Sequence, residues 1–325
     1  MPIGFTFVPG ANGKAGAFFS DPTIAGFRLA QAAGAGFERV VVHEPGGVLA
    51  NLDVAAYAAR LSSALEIVLT HWPGAIAPVA AAQQLAELDT RIGGRLVVRV
   101  LGDGHGAPDN GRAPHPCHLA AMQRTDEYLM LLKRLWTNTR PFDFEGAFHS
   151  FRQGFLHEKG PRAGEISFRM GGDSGSAIQV AARHADVFEL SPGSAQSVRQ
   201  QIERVRDAAG RYGRSRKISF ALPVYFNGGS QKDPDVVAEP MRRAANIAAW
   251  FLDYVDAGVA EFMVSGTDDG DAMRLFGERV VTPLRIATRR NEGVVSLDAP
   301  AMPSRTGLSR RRRYFMRNSS RASPE

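Results

Sequence analysis

Cysteine is almost absent from this chain: Cys117 is the single one in 325 residues. That excludes an internal disulfide and a cysteine-rich metal cluster, and it points to a reducing compartment. Long apolar runs are missing as well. No stretch approaches the roughly 18 uninterrupted apolar residues of a membrane helix. Met1-Pro2-Ile3-Gly4-Phe5 has no basic region leading into an apolar one, so secretion and membrane spanning are disfavoured and the cytoplasm is the expected location. A Walker A loop, a dinucleotide fingerprint and a Gly-x-Ser-x-Gly elbow are all lacking.

Charge of one sign is scarce outside one segment. Residues 296–325 hold seven arginines (305, 310, 311, 312, 313, 317 and 321) against Asp298 and Glu325, a net +5 of the chain's +6. A nucleic-acid surface needs a basic patch across a folded face. Here the excess sits in a Ser/Arg/Pro segment without apolar periodicity, which reads as a disordered tail, and nucleic-acid binding is disfavoured.

What remains is the composition of a globular protein, 44% hydrophobic and 22% charged. Its pattern alternates short β-branched runs with longer amphipathic ones. The spacing predicts strands at 3–8, 38–43, 65–70, 95–101, 166–170, 186–190, 217–226 and 260–265. Helices are predicted at 22–35, 53–63, 78–92, 117–137, 174–184, 194–212, 234–257 and 269–288. Asp21, Asp53, Asp173 and Ser194 are placed at or next to N-caps, and Gly36, Gly93, Gly213 and Gly258 as stops. Eight strands alternating with eight helices is the stoichiometry of an α/β fold of the (β/α)8 TIM barrel type. A doubly wound sheet is the alternative, because counting does not show closure. The barrel is assigned to residues 1–290 and the basic tail to 291–325.

Two intervals exceed the repeat. Residues 102–116 form a long Gly/Pro loop, and Phe142 to Phe151 alternates polar and apolar around Gly146, predicting a small hairpin after the fourth helix. Both are expected over one end of the barrel. The Arg124, Asp126, Glu127, Lys133 and Arg134 side of the helix between them reads as solvated and salt-bridged. His115 and His118 around Cys117 read as loop residues, and no metal site is expected.

Barrel active sites lie at the C-terminal ends of the strands. That rule selects His43-Glu44, His71-Trp72, Asp103 to His105, the loop Gly171 to Ser176, Tyr225 and Thr267. The loop Gly171-Gly172-Asp173-Ser174-Gly175-Ser176 follows a strand and opens a helix, so its glycines and helix N-terminus suit a phosphate. It reads equally as a turn with Asp173 or Ser174 as N-cap, and Asp173 would repel a phosphate. The residues alone leave both readings standing.

Several ordered blocks resemble the luciferase-like flavin-dependent monooxygenases, most closely their alkanesulfonate monooxygenase branch. They are Leu65 to Arg95 with its Gly-Gly-Arg end, Arg124 to Phe148 with Asp126-Glu127-Tyr128 and Asp143-Phe144-Glu145-Gly146, Phe168 to Val187, and Asp256 to Leu284. With their intervals they cover about residues 1–288. The resemblance implies a barrel that takes reduced FMN as a diffusible substrate, reacts it with O2 and oxygenates a small molecule. A separate NAD(P)H:flavin reductase would supply the FMN, and the family favours a homodimer or tetramer.

On that resemblance the phosphate sits on Gly171, Gly172, Ser174 and Gly175, with His118 aligned to a family histidine near it. The isoalloxazine lies across the strand ends near Phe7, His71 and His105. His43, His71 and Tyr225 are the candidate catalytic groups. His43 is displaced by one from the family's acidic-His pair after strand two, which on a strand points to the opposite face unless the strand end bulges.

Where the alkanesulfonate branch has an Arg and a His on strand seven, this chain has Pro223 and Tyr225, and Thr267 stands in place of a Tyr. The family's long mobile insertion is replaced by a short run from Asn227 to Pro234. A sulfonate substrate is therefore disfavoured. Two alternatives stay open: hydride transfer with the deazaflavin F420, as in other members of the superfamily, and a non-catalytic flavin-binding barrel.

Overall fold

The computed structural model describes residues 3–10, 18–43, 48–101, 118–162, 164–226 and 247–288. The long loop at 102–116 with His105, the Asn227 to Pro234 run and the basic tail lie outside these residues.

Eight parallel strands close on themselves: β1 (Gly4–Phe7), β2 (Arg39–Val42), β3 (Glu66–His71), β4 (Leu96–Val100), β7 (Ser167–Gly171), β8 (Val187–Glu189), β9 (Ser219–Tyr225) and β10 (Glu261–Ser265). Closure is decided by the pairing of β1 with both β2 and β10, Phe7 opposite Val40 and Val264. The doubly wound alternative is thereby excluded. Around the sheet run α1 (Pro22–Gly34), α2 (Val48–Leu61), α3 (Pro78–Arg91), α4 (His118–Thr137), α5 (Gly175–His184), α6 (Ala195–Gly210), α7 (Ile247–Ala257) and α8 (Gly270–Phe276). The last passes through a π-helical turn at Gly277–Val281, where a side chain at Gly277 would meet the Ala35 backbone at 2.9 Å.

Local chemistry sets the helix ends. Asp21 accepts the amides of Thr23 and Ile24 with Pro22 in the first turn, and Ser194 accepts that of Ser197. Gly36 ends the first βα unit at φ +96°, a conformation only glycine adopts without strain. One of the expected caps is corrected: Asp53 lies inside α2, which begins five residues earlier than the periodicity suggests, while of Asp173 and Ser174 it is Ser174 that caps α5.

The alternation of each strand separates two cores. Phe5, Phe7, Val40, Val42, Ile67, Leu69, Val98, Phe168, Phe188, Phe220, Phe262 and Val264 face the helices in one large cluster. Val41, Val68, Val97, Ala221 and Met263, with Val8 and Val187 against them, form a smaller cluster inside the barrel.

The rest of that interior is ionic. Arg39 bridges Glu66 at 2.6 Å and Glu261 at 3.3 Å; Arg169 joins Glu261 at 2.6 Å to Glu189 at 3.3 Å; Arg99 grips Glu189 through two nitrogens at 2.8 and 2.9 Å. The Thr6 hydroxyl donates to Glu261 as well. Arg39, Glu66 and Glu261 begin their strands, Arg169 is in the middle of β7, and Glu189 ends β8. The chain of pairs therefore rises from the closed end toward the mouth.

The hairpin forms as predicted, β5 (Phe142–Glu145) against β6 (Ser150–Gly154), but it lies along α4 and not over the barrel end. Glu127 accepts the turn amides of Ala147, Phe148 and His149 at 2.9, 3.1 and 2.7 Å, and Arg134 stacks on Phe142 at 4.0 Å. The charged side of α4 is thus a docking face. Arg124 also meets the hairpin, over the Phe148 ring, while Asp126 and Lys133 meet α5, Asp126 binding Arg183 and His184 and Lys133 donating to the His184 carbonyl.

Removing one member of a buried ion pair strands the others without solvent. Arg169→Met is expected to cost roughly 3–5 kcal/mol, read as a lowered midpoint in urea unfolding, whereas Arg152→Ala on the exposed hairpin should change stability by less than about 0.5 kcal/mol.

Candidate functional site

The mouth at the C-terminal ends of the strands is built from inner-face residues. On β3, Glu66, Val68 and Thr70 face inward, so Ile67, Leu69 and His71 face outward. His71 is consequently removed from the mouth. Its Nε2 lies 2.9 Å from the Tyr128 hydroxyl on α4, the rings stack at 5.7 Å, and Tyr128 in turn meets His149 of the hairpin turn. Burial of the imidazole lowers its pKa to about 4, and burial raises that of Tyr128. This is a structural pair fastening the hairpin and α4 to the barrel wall.

The same alternation corrects Phe7. Its ring packs outward on Phe18 at 5.4 Å and Phe37 at 5.8 Å, fully buried, so it cannot contact a ligand in the mouth. His43 goes the other way. Two residues beyond the inner-facing Val41, it lies at 5.6 Å from the Trp72 ring and within the field of the inner-facing Arg99. Burial first and the Arg99 charge second hold its pKa below the ordinary histidine value. Tyr225 ends β9 opposite Ser265, its ring close against the turn at Gly266.

The loop after β7 forms the turn and N-cap that its sequence allowed. Ser174 caps α5, accepting the Ala177 amide at 3.1 Å, and its hydroxyl lies 3.2 Å from that of Ser176. Asp173 is held aside by the Ser191 hydroxyl at 2.5 Å. Gly171 closes on β8, where a Cβ would come within 2.6 Å of the Glu189 carbonyl, and Gly172 takes φ +133° with Ala177 behind it. At Gly175 the opposite holds: a Cβ would meet no atom within 4 Å, so the first helical turn has open space before it. His118 opens α4, and its side chain, like His105, is outside the described residues.

A groove of about 590 Å³ runs between α4 and α5, from Leu119, Met122 and Ser176 to Arg183 and Tyr212. A larger one of about 930 Å³, lined by Phe27, Gln31, Asp269 and Arg274, lies between α1 and α8 in the outer layer. The chemistry favours the mouth over either. Arg99, Arg169, Glu189 and Thr70 were not singled out from sequence; the signal for the charged three was a polar residue at an inward position of an otherwise apolar strand.

His71 supplies a pH test. Because its folded pKa is depressed below the unfolded value of about 6.5, its contribution to stability is present above that pH and is lost as pH falls toward 4. Unfolding free energy should drop by the order of 3 kcal/mol across that window in the native chain. His71→Gln should flatten the slope when chemical unfolding is repeated at pH 7, 6, 5 and 4.

The family model of luciferase-like monooxygenases matches residues 7–272. FMNH(2)-dependent dimethylsulfone monooxygenase of Pseudomonas putida is 28% identical over 181 residues, 55% of this chain and 50% of that protein. Sulfoquinovose monooxygenase of Novosphingobium aromaticivorans is 28% identical over 204 residues, 58% of this chain and 52% of that one. The chain thus spans about half the length of these curated relatives.

Among solved structures, the coenzyme F420-dependent tetrahydromethanopterin reductase of Methanopyrus kandleri superposes with a TM-score of 0.69 at 16% identity, over 87% of this chain and 100% of that one. A long-chain alkane monooxygenase gives 0.70 at 14%, over 89% and 92%. At these identities the likeness is one of fold. The family match begins on the first barrel strand and ends in the helix after the last, and this chain therefore belongs to the luciferase-like monooxygenase family.

Proposed function

We propose that the chain is an FMN-dependent monooxygenase of the two-component type, oxygenating a small organic substrate with reduced FMN delivered by a separate NAD(P)H:flavin reductase. The observation that carries this reading is the loop from Gly171 to Gly175. It offers a capped helix N-terminus, two adjacent hydroxyls and open space at Gly175, beside a mouth lined by His43, Trp72 and Tyr225. These features fit a phosphate whose ring system reaches the mouth. When bound, reduced flavin supplies two electrons to O2, so that one oxygen atom enters the substrate and the other leaves as water.

The residues of the chain have distinct tasks in that reading. Gly171, Gly172, Ser174 and Gly175 hold the phosphate, with Asp173 kept off it by Ser191. His43, neutral near pH 7, offers a nitrogen for a proton at the mouth without adding a charge. The Val8, Val41, Val68 and Met263 side chains beneath it help exclude water. The curated relatives whose names specify FMNH2 support FMN as the flavin. The F420 enzymes share the fold, which leaves hydride transfer with that cofactor as the competing outcome.

Anaerobic titration with reduced FMN, oxidised FMN and reduced F420, followed by mixing with O2, tests the reading. Reduced FMN should bind tightest and consume O2. Preference for F420 without O2 consumption would assign hydride transfer, and binding of none would leave a non-catalytic barrel.

Gly172→Ala must shift the loop, since its Cβ would meet that of Ala177 at 2.7 Å. FMN affinity should fall about tenfold or more, while riboflavin, which lacks the phosphate, should bind both forms equally.

A further inference from the structure

We infer that Thr70 and His43 form a hydrogen-bonding pair at the floor of the mouth that recognises an uncharged oxygen acceptor, a carbonyl or sulfonyl oxygen, and discriminates against anions. The inference rests on reading the mouth as the flavin and substrate site.

Thr70 is fully buried, and its Oγ1 has no hydrogen-bond partner among the described residues. Its place is fixed on both sides. The backbone carbonyl accepts from the buried Asn51 amide at 3.1 Å, and the residue pairs in register with Arg99 on β4. Two positions beyond Val68, the hydroxyl is on the inner face. Burying a hydroxyl with nothing to bond is unfavourable, and a ligand atom at that point would relieve it.

His43 follows the neighbouring strand, whose Val42 pairs with Leu69, so its side chain emerges beside Thr70. The Nδ1 atom of His43 is likewise buried without a partner among the described residues, and the Trp72 ring flanks the imidazole at 5.6 Å. With its proton on Nδ1 the imidazole donates alongside the threonine hydroxyl. Two donors beside an aromatic face suit one oxygen of a compact or planar molecule.

Charge decides between a neutral ligand and an anion. Among the described inner-face side chains, Arg39, Arg99 and Arg169 are matched by Glu66, Glu189 and Glu261. Arg99, the cation next to Thr70, is committed to Glu189 through two nitrogens. No net positive charge in that set would offset the desolvation of an anion, whereas a neutral acceptor needs none. Burial and Arg99 also keep His43 uncharged, so it offers an N–H and no countercharge.

The oxygen could come from the flavin ring or from the substrate, and the experiment separates them. The imidazole ¹⁵N resonance of His43, assigned with His43→Asn, would be followed during titration with oxidised FMN, dimethyl sulfone and methanesulfonate. This would be done in native protein, Thr70→Ser and Thr70→Val, each first shown to be folded by its thermal transition. The resonance should respond to an uncharged probe and not to methanesulfonate. Thr70→Val should weaken that response about tenfold, and Thr70→Ser should retain it.

Weakening confined to FMN assigns the flavin ring carbonyl; weakening confined to dimethyl sulfone assigns the substrate. Methanesulfonate binding as tightly as the sulfone, or Thr70→Val leaving both affinities at the native value, overturns the inference. If native protein binds no flavin, the monooxygenase reading falls and the sulfone titration still decides the pair.

Discussion

Three arginines and three glutamates threaded through the interior of a parallel barrel must pair or the barrel cannot close around them. Arg169, fully buried, sits at the centre of that chain and touches glutamates from β8 and β10. Burial pushes the Glu189 carboxyl up, but Arg99 and Arg169 outweigh it and hold it below the usual carboxylate range. Three of these pairs, Arg39–Glu261, Arg99–Glu189 and Arg169–Glu261, join strands that share no ladder bonds. Such pairs are weak sources of net stability compared with apolar packing. They constrain register instead, because a slip of one residue on any contributing strand would turn a charge into the Phe-rich outer core.

The same interior defines the floor of the mouth. Valines and Met263 fill the space that the ion chain leaves. Above them the described inner residues are short or neutral: Thr70, Gly171, Pro223 and Ser265, with His43, Trp72 and Tyr225 as the ring-bearing groups around them. An electrically balanced floor beneath an aromatic rim differs from a cationic pocket in what it accepts. The loop that opens α5, with Ser174 as its cap and Gly171 and Gly172 in close quarters, stands apart from that floor.

Much of the barrel was legible in the sequence because its strands are short β-branched runs and its helices are bounded by caps and glycines. All eight strand positions read from periodicity coincide with observed strands to within about two residues. The helix start that failed has a local cause. Asp53 looked like a cap because it is a preferred cap type ahead of an apolar-periodic run, whereas the helix already includes Val48 to Leu52, with Asn51 buried inside it and bonded to the Thr70 carbonyl. The charged side of α4 looked solvated because a helix sequence does not reveal a hairpin folded back onto it, as Glu127 and its three accepted amides show.

Site residues were less legible than elements. Thr70 and His71 are adjacent in sequence and lie on opposite sides of the barrel wall; the histidine carried the chemical signal, and the threonine occupies the mouth. The direction of Phe7 was illegible in the same manner, and His43, displaced by one along its strand, nevertheless emerges on the inner face; the phase of a parallel strand buried on both faces is invisible when both faces are apolar. By itself, the sequence determined the order and spacing of the βα units, the strand boundaries and the glycine- and serine-bearing loop that opens a helix, because those depend on propensity and capping within a few residues. Only the tertiary structure decided closure, which face each strand turns inward and which charges find partners, because those depend on contacts between residues far apart along the chain.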